Sequence, residues 1–244
     1  MARTYIGTSG WTYDSWQGLV YPHDVTGPAR LGYYTAFLFG TVELNASYYR
    51  WPRDATFAGW ARRLPDGFRM TVKAPRALTH GARLYRPERW IEIMTRSLHR
   101  LGERLGVVLV QLPAALERDD DRLDWFLRAC PSHWPVAVET RHPSWECDEV
   151  FALLERHRSA YVVKSGAGMP CVLRATTGWV YVRFHGPSQE HLYGGCYSDT
   201  DMHWWGERVR EWLGQGRDVW AYFNNDMDGY AVRNAQALRA AAGG

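Results

Sequence analysis

Short runs of β-branched and aromatic residues alternate along the chain with longer segments that repeat their apolar positions as a helix does. Most runs begin after Gly, Pro or a charged turn, and each is only a few residues long, which is typical of strands. Eight runs predict eight strands. They are Tyr5–Ser9, Thr41–Asn45, Phe68–Lys73, Val107–Leu112, Val136–Thr140, Tyr161–Lys164, Trp179–His185 and Val219–Phe223.

The segments between the strands carry apolar residues at intervals of three and four. After Cys147, for example, Val150, Phe151 and Leu154 fall on one helical face, and Asp148 is placed as the N-cap. The pattern predicts helices over Pro87–Leu105, Asp120–Ala129, Asp148–His157, Met202–Leu213 and Ala231–Ala241.

Strands that alternate with helices predict a parallel sheet, and eight is the number that closes a barrel. We therefore expect an α/β protein, a (β/α)8 TIM-type barrel of parallel strands, with residues 1–244 forming one domain. An open doubly wound sheet is the alternative. That fold usually has a G-x-G-x-x-G turn after its first strand, and GTSGWTYDSW stands there instead.

Polar and apolar residues also alternate within the strands. In the second strand, Val42 and Leu44 take turns with Thr41, Glu43 and Asn45. Because the apolar set must cover the side that faces the helices, the polar set should point into the barrel. Fixed polar groups there should gather at the C-terminal strand ends, where barrel enzymes hold their sites. An internal polar network that merely fills the barrel is the alternative.

Residue type and position give these side chains candidate roles. His185 has the side chain best suited to a general base near neutral pH, and carboxylates are the other proton carriers. Aromatic rings after the first two strands could stack on a flat ligand or simply pack. The predicted catalytic residues are Glu43, Glu139 and His185, and the predicted substrate-binding residues are Asn45, Lys73, Gln111, Arg141, His142, Arg183, Asn224, Trp11 and Tyr48.

The inward charges favour an anionic ligand. Two carboxylates, Glu43 and Glu139, face four cations, which are Lys73, Lys164, Arg141 and Arg183. An excess of fixed positive charge attracts phosphate or carboxylate and disfavours a divalent metal. We therefore assign no metal ligands, although Glu43 and Glu139 with His142 and His185 are an alternative metal cluster. A Schiff-base lysine is a further alternative.

Composition indicates the class and cellular location of the protein but no reaction. The net charge is +3, and of the 29 basic residues only Lys73 and Lys164 are lysines. The four cysteines lie far apart, the N-terminus has no signal-peptide core, and no run approaches 18 apolar residues. We expect a soluble, cytoplasmic protein that does not bind membranes. A cofactor and an oligomeric state cannot be assigned.

Seven motifs occur in an order that resembles the YecE-like family, known as domain of unknown function 72. They are GTSGWTYDSWQGLVYP, TVELNASYYRWP, VKAPRALTH, QLPA, VETRHPSW, YVRFHG and YFNNDMDGYAVRNA, and together they extend from Ile6 to about Leu238. The resemblance implies a TIM-type barrel and brings no settled activity. A likeness in fold to apurinic-site endonucleases and xylose isomerases suggests DNA repair, but only by analogy.

Two functions follow from the sequence. The first is an enzyme or binder for a phosphorylated or carboxylated small molecule at the C-terminal barrel mouth. The second is a nucleic-acid-binding or DNA-repair protein resembling apurinic endonucleases, which the modest net charge supports only weakly. Whether the protein turns over any ligand is left open.

Overall fold

Eight strands alternate with helices in the computed structural model, which describes residues 1–191 and 193–243. All eight belong to one sheet, and every pairing with a defined register is parallel. The predicted (β/α)8 TIM-type barrel is confirmed. The strands are β1 (Thr4–Thr8), β2 (Thr41–Leu44), β3 (Arg69–Lys73), β4 (Leu105–Gln111), β5 (Val136–Glu139), β6 (Ala160–Ser165), β7 (Trp179–Phe184) and β8 (Asp218–Phe223).

The strand predictions are confirmed to within two residues at each end. The five predicted helices are also present, although the first ends early and continues as a 3-10 helix over His99–Arg104. The helices are α1 (Ala29–Phe37), α2 (Ala46–Tyr49), α3 (Asp54–Arg63), α4 (Glu88–Leu98), α5 (Asp120–Ala129), α6 (Asp148–Arg156), α7 (Asp199–Gly214) and α8 (Tyr230–Ala241).

Three helices and one cap differ from the prediction. The first three helices were not predicted, because α2 is a single turn and because α1 and α3 include Gly32 and Gly59, which are weak helix formers. Asp148 is not the N-cap of α6. Cys147 takes that position with an extended backbone. Asp148 lies in the first turn, where its negative charge interacts favourably with the helix dipole.

In the described chain no helix follows β6, and an extended segment replaces it. Its Thr176 hydroxyl donates to the carbonyl oxygen of Ser159 at 2.7 Å and accepts from the backbone N–H of Tyr161 at 2.8 Å. Arg174 forms an ion pair with Glu155 at 3.0 Å. One buried side chain therefore satisfies backbone groups that would otherwise lack partners at this position.

The chain divides into two compact units. The first comprises Met1–Glu43, Val163–Leu173 and Gly178–Gly244. Within it β8 pairs with both β1 and β7. Phe184 stacks on Phe223 with ring centroids 4.1 Å apart and meets the edge of Trp205 from α7.

The second unit comprises Leu44–Val162 and Arg174–Thr177. Here β4 pairs with β3 and β5, and Val138 of β5 is in register with Tyr161 of β6. The prediction that residues 1–244 form one domain stays a prediction. No helix in the described residues is long and apolar enough to cross a membrane.

Candidate functional site

A buried carboxylate organises the polar residues of the first unit. Glu43 on β2 accepts hydrogen bonds from Arg183 Nε at 3.0 Å, Arg183 Nη2 at 2.7 Å and the Tyr181 hydroxyl at 2.6 Å. The Ser9 hydroxyl donates to the same carboxylate. Tyr181 and Arg183 share one face of β7, while Phe184 on the other face packs against α7, as the alternation predicts.

Glu43 is held as an anion. Burial alone would raise the pKa of its carboxyl, but the charge and hydrogen bonds of Arg183, with those of Ser9 and Tyr181, bring that pKa below its usual range. Glu43 and Arg183 are both fully buried. A carboxylate with this many donors keeps its charge and is poorly suited to take a proton at neutral pH.

The other predicted residues of the first unit are also buried. His185 is 1% exposed, and its ring centroid is 5.7 Å from that of Tyr193. Asn224 is 5% exposed and follows β8 directly. Trp11 is 6% exposed, so its ring is buried, and its carbonyl oxygen accepts a hydrogen bond from the Tyr21 hydroxyl at 2.7 Å.

Sequence reasoning missed Asp226, two residues after Asn224. Burial raises the pKa of its carboxyl above the usual range, partly offset by a bond from its own backbone N–H. The indole of Trp16 donates to its backbone carbonyl oxygen at 2.7 Å. No motif or spacing indicates this shift, because it arises from packing. Asp226 is a further candidate proton carrier in this unit.

In the second unit, Lys73 lies at the end of β3. Its Nζ is 3.2 Å from Asn45 Oδ1 and 4.2 Å from the centroid of the Tyr48 ring. The Ser47 hydroxyl donates to the Lys73 carbonyl oxygen at 2.6 Å, which fixes the backbone of the same residue. Asn45, Lys73 and Tyr48, all predicted as substrate-binding residues, therefore come together and hold the ammonium group in place.

Two more predicted residues pair at the end of β5. Arg141 Nε donates to Glu139 Oε1. Glu139 is fully buried, whereas 14% of the Arg141 side chain is exposed. Glu139 therefore binds Arg141 as Glu43 binds Arg183 in the first unit. Gln111 is half-buried at the end of β4, where it is in register with Glu139.

His142 follows Arg141 and shapes the next turn. Its Nδ1 accepts a hydrogen bond from the backbone N–H of Ser144 at 3.2 Å, which caps a 3-10 helix over Pro143–Trp145. The Ser144 hydroxyl lies 2.8 Å from the same nitrogen and has its hydrogen available to donate to it. A ring nitrogen that accepts cannot carry the hydrogen, so the neutral ring has its hydrogen on Nε2. His142 thus combines a structural role with a remaining N–H donor.

His80 is the second residue that sequence reasoning missed. It lies in a π-helical turn over Ala77–Gly81, and its ring meets that of Tyr48 edge to face with centroids 5.2 Å apart. Burial lowers its pKa most, followed by the positive charges of Lys73, Arg76 and Arg141. His80 ends the motif VKAPRALTH, so a histidine shortly after a strand that ends in lysine was the available signal.

The backbone after His80 is unusual as well. Arg83, Leu84 and Arg86 all have left-handed conformations, with φ of 50°, 63° and 47°. Strained backbone of this kind persists only where the surrounding structure stabilises it, and it is frequent at functional sites, as π-turns are. Across the described residues, three or more His, Cys, Asp or Glu side chains do not come together in a way that would hold a metal ion.

A family model described as "Protein of unknown function DUF72" matches residues 5–244. The chain belongs to the DUF72 family. Among its DUF72 relatives of known structure is a protein from Thermotoga maritima MSB8, 30% identical, with a TM-score of 0.89 over 99% of this chain and 100% of the other. A DUF72 protein from Enterococcus faecalis V583 shares 19% identity with a TM-score of 0.84, over 98% and 95%.

A curated relative agrees with this membership. The UPF0759 protein YunF of Bacillus subtilis strain 168 is 27% identical, over 96% of this chain and 93% of its own length. The description of DUF72 assigns no reaction. The roles given to the individual residues therefore stay predictions, and the function of this DUF72 chain has to be argued from its side chains.

Proposed function

We propose that the second unit binds a phosphorylated or carboxylated small molecule at the C-terminal ends of its strands. The observation that carries the proposal is the positive charge around His80. After burial, the charges of Lys73, Arg76 and Arg141 are the causes that lower the pKa of this histidine. Three cations that act on one half-buried ring make a positive region, which attracts an anion.

The balance of charge in this region supports the proposal. Among the groups described above, Glu139 is the carboxylate that opposes these cations, and it is bound to Arg141. One carboxylate beside three cations leaves an excess of positive charge. In partly desolvated surroundings a phosphate or carboxylate gains more from such a charge than it does in water.

The placement of the donors supports it further. Lys73 is held by Asn45 and Tyr48 before any ligand arrives, so little side-chain entropy is lost on binding. His142 adds an Nε2–H donor at the end of β5, next to Arg141. We assign Lys73 and Arg141 to hold the anion, with Asn45, Gln111, His142 and Tyr48 as the remaining substrate-binding residues of this unit.

The first unit is assigned no part in binding the anion. Glu43 and Arg183 neutralise each other in a buried network, so we assign them to fix the strand ends rather than to transfer protons. His185 and Asp226 stay candidate proton carriers of the first unit, and Glu139, which Arg141 holds as Arg183 holds Glu43, is assigned to position that arginine. Binding does not depend on either of the two proton carriers, and the proposal covers an enzyme as well as a binder.

The test is a thermal-shift measurement of the whole chain with inorganic phosphate, acetate and a panel of phosphorylated metabolites. A ligand at about 100 times its Kd should stabilise the protein by about 2.7 kcal/mol. A chain of this size gains about 2–4 °C in Tm for each kcal/mol. Lys73→Met should abolish the shift, whereas Arg63→Met, on the exposed side of α3, should retain it.

Two outcomes would overturn the proposal. One is an equal shift in both variants, which would put the anion elsewhere. The other is no response to small anions together with binding of a short oligonucleotide that weakens steeply as salt rises. That second result would favour the nucleic-acid function, since such a slope reports the phosphates contacted.

A further inference from the structure

The imidazole of His80 is oriented by the residue before it, and this orientation restricts the ligand. We propose that His80 presents Nε2 as a hydrogen-bond acceptor, so that the ligand carries a hydroxyl group beside its anionic group. Hydroxy acids and the phosphate esters of polyols and sugars have this chemistry. The inference rests on the proposed anion site and adds the class of its ligand.

The Thr79 hydroxyl has a single hydrogen to donate. Thr79 Oγ1 donates to the carbonyl oxygen of Pro75 at 3.3 Å and lies 2.9 Å from His80 Nδ1. A carbonyl oxygen can only accept, so the hydroxyl hydrogen is used there. With its hydrogen on that carbonyl oxygen, Thr79 Oγ1 accepts from Nδ1–H. The neutral ring consequently has its lone pair on Nε2.

The surrounding charges favour the same state. His80 faces the cations Lys73 and Arg141 from strand ends and Arg76 from the start of its own turn, and burial adds to their effect. These groups keep the ring neutral. A neutral ring with a lone pair is the form that is attracted to nearby positive charge, whereas a second N–H would be repelled by it.

The backbone holds the ring in this arrangement. The N–H of Ala82 donates to the carbonyl oxygen of Ala77 at 2.8 Å and closes the π-turn around His80. The near-perpendicular contact between the Tyr48 ring and the imidazole limits its rotation. Tyr48 also lies beneath the Lys73 ammonium, so one aromatic ring connects the proposed acceptor with the proposed anion-binding cation.

His142 provides an internal contrast. There the Ser144 N–H occupies Nδ1 and leaves the hydrogen on Nε2, the opposite tautomer. A fully ionised oxygen bound by Lys73 or His142 has no hydrogen to offer to His80. A ligand that satisfies all three groups needs an anionic group and a separate donor, and a neighbouring hydroxyl is the simplest donor.

The first experiment compares pairs of probes that differ only by a hydroxyl group. Glycolate is measured against acetate, and 1,2-propanediol 1-phosphate against propyl phosphate, by calorimetry on the whole chain. One additional hydrogen bond should make the hydroxylated member bind about 2- to 12-fold more tightly. His80→Phe, which keeps a ring but removes the acceptor, should abolish this preference while both members still bind.

The outcomes separate this inference from the proposed function. Equal affinity within both pairs, or a preference that survives in His80→Phe, would overturn the hydroxyl inference and leave the anion site intact. Absence of binding by all four probes would refute the anion site and with it this inference. His99→Phe, on an exposed histidine of the second unit, is the matched control and should bind like the unaltered chain.

A second measurement needs no ligand. Nitrogen-15 NMR distinguishes a protonated from an unprotonated ring nitrogen, and the His80 and His142 signals can be assigned by their loss in His80→Gln and His142→Gln. We expect a hydrogen on Nδ1 of His80 and on Nε2 of His142. Thr79→Val should shift His80 toward its Nε2–H form. A hydrogen on Nε2 of His80 in the unaltered chain would overturn the proposal.

Discussion

At the scale of single residues, the Glu43–Arg183 pair has the clearest energetic consequence. Both side chains are fully buried, and four hydrogen bonds compensate for the desolvation of the carboxylate. Replacing a buried pair by apolar groups is often neutral, but removing one partner leaves an isolated charge.

The pair therefore predicts a strong asymmetry between single and double variants. Arg183→Met should lower the free energy of unfolding by about 3–5 kcal/mol, measured by urea denaturation. The double variant Glu43→Gln with Arg183→Met should recover part of this loss, because no charge is then stranded. A double variant no more stable than Arg183→Met alone would contradict this prediction.

Acid should weaken the same network. The pKa of Glu43 is lower in the folded chain than in the unfolded chain, where it is about 4.3. The stability that this group adds is therefore fully present above the unfolded value and is lost as the pH falls through the folded one.

His80 makes a second prediction at this scale, with its own pH window. The folded pKa lies below the unfolded value of about 6.5, so the unfolded chain takes up the proton first, and this group makes folding less favourable as the pH falls below that value. Histidine NMR should find its midpoint below 6.5, and Lys73→Met should raise it by removing one facing cation. An unchanged midpoint would show that Lys73 does not act on the ring.

At the scale of elements, the extended segment after β6 stands where a barrel usually has a helix, and its Thr176 side chain satisfies two backbone groups. Thr176→Val should cost about 1–3 kcal/mol, because the Tyr161 N–H and the Ser159 carbonyl oxygen both lose a buried partner. Thr200→Val, at an exposed position of α7, is the control and should change stability by less than about 0.5 kcal/mol. Denaturation curves of the two variants measure both free energies of unfolding. Equal losses in the two variants would show that the Thr176 hydroxyl does not stabilise this segment.

The elements also show what sequence can and cannot predict. The strands were predictable because buried β-branched runs such as Val107–Val110 are bounded by turn residues, and α5 was predictable because its apolar residues repeat strictly. α1 was missed because Gly32 and its aromatic neighbours weaken the helical pattern.

Strand parity predicted the residues of the candidate site that lie at strand ends. It did not predict His80 or the pairing of side chains. Lys73 and Asn45 lie at strand ends, so their meeting with Tyr48 followed from the fold. His80 did not, since a π-turn shifts a residue out of the ordinary helical register and leaves no periodic signal. The pairing of Arg141 with Glu139 depends on rotamers, which a sequence does not specify.

At the scale of the whole molecule, the formal charge overstates the charge that is available to a ligand. Arg183 and Arg141 are each bound to a buried carboxylate, so these two cations are less available to a ligand than their count suggested. This explains why the proposal depends on Lys73 and the cations around His80 rather than on the net charge of +3.

The burial of both lysines has a practical consequence. Lys73 is 6% exposed and Lys164 is 1% exposed, and the sequence has no other lysine. A lysine-specific protease should therefore leave the folded chain uncut and cleave it at these two positions only as it unfolds, with fragments visible by mass spectrometry. Rapid cleavage under native conditions would contradict the burial. The rate of cleavage at the two lysines therefore reports how often the folded chain opens, and no label has to be added to the protein.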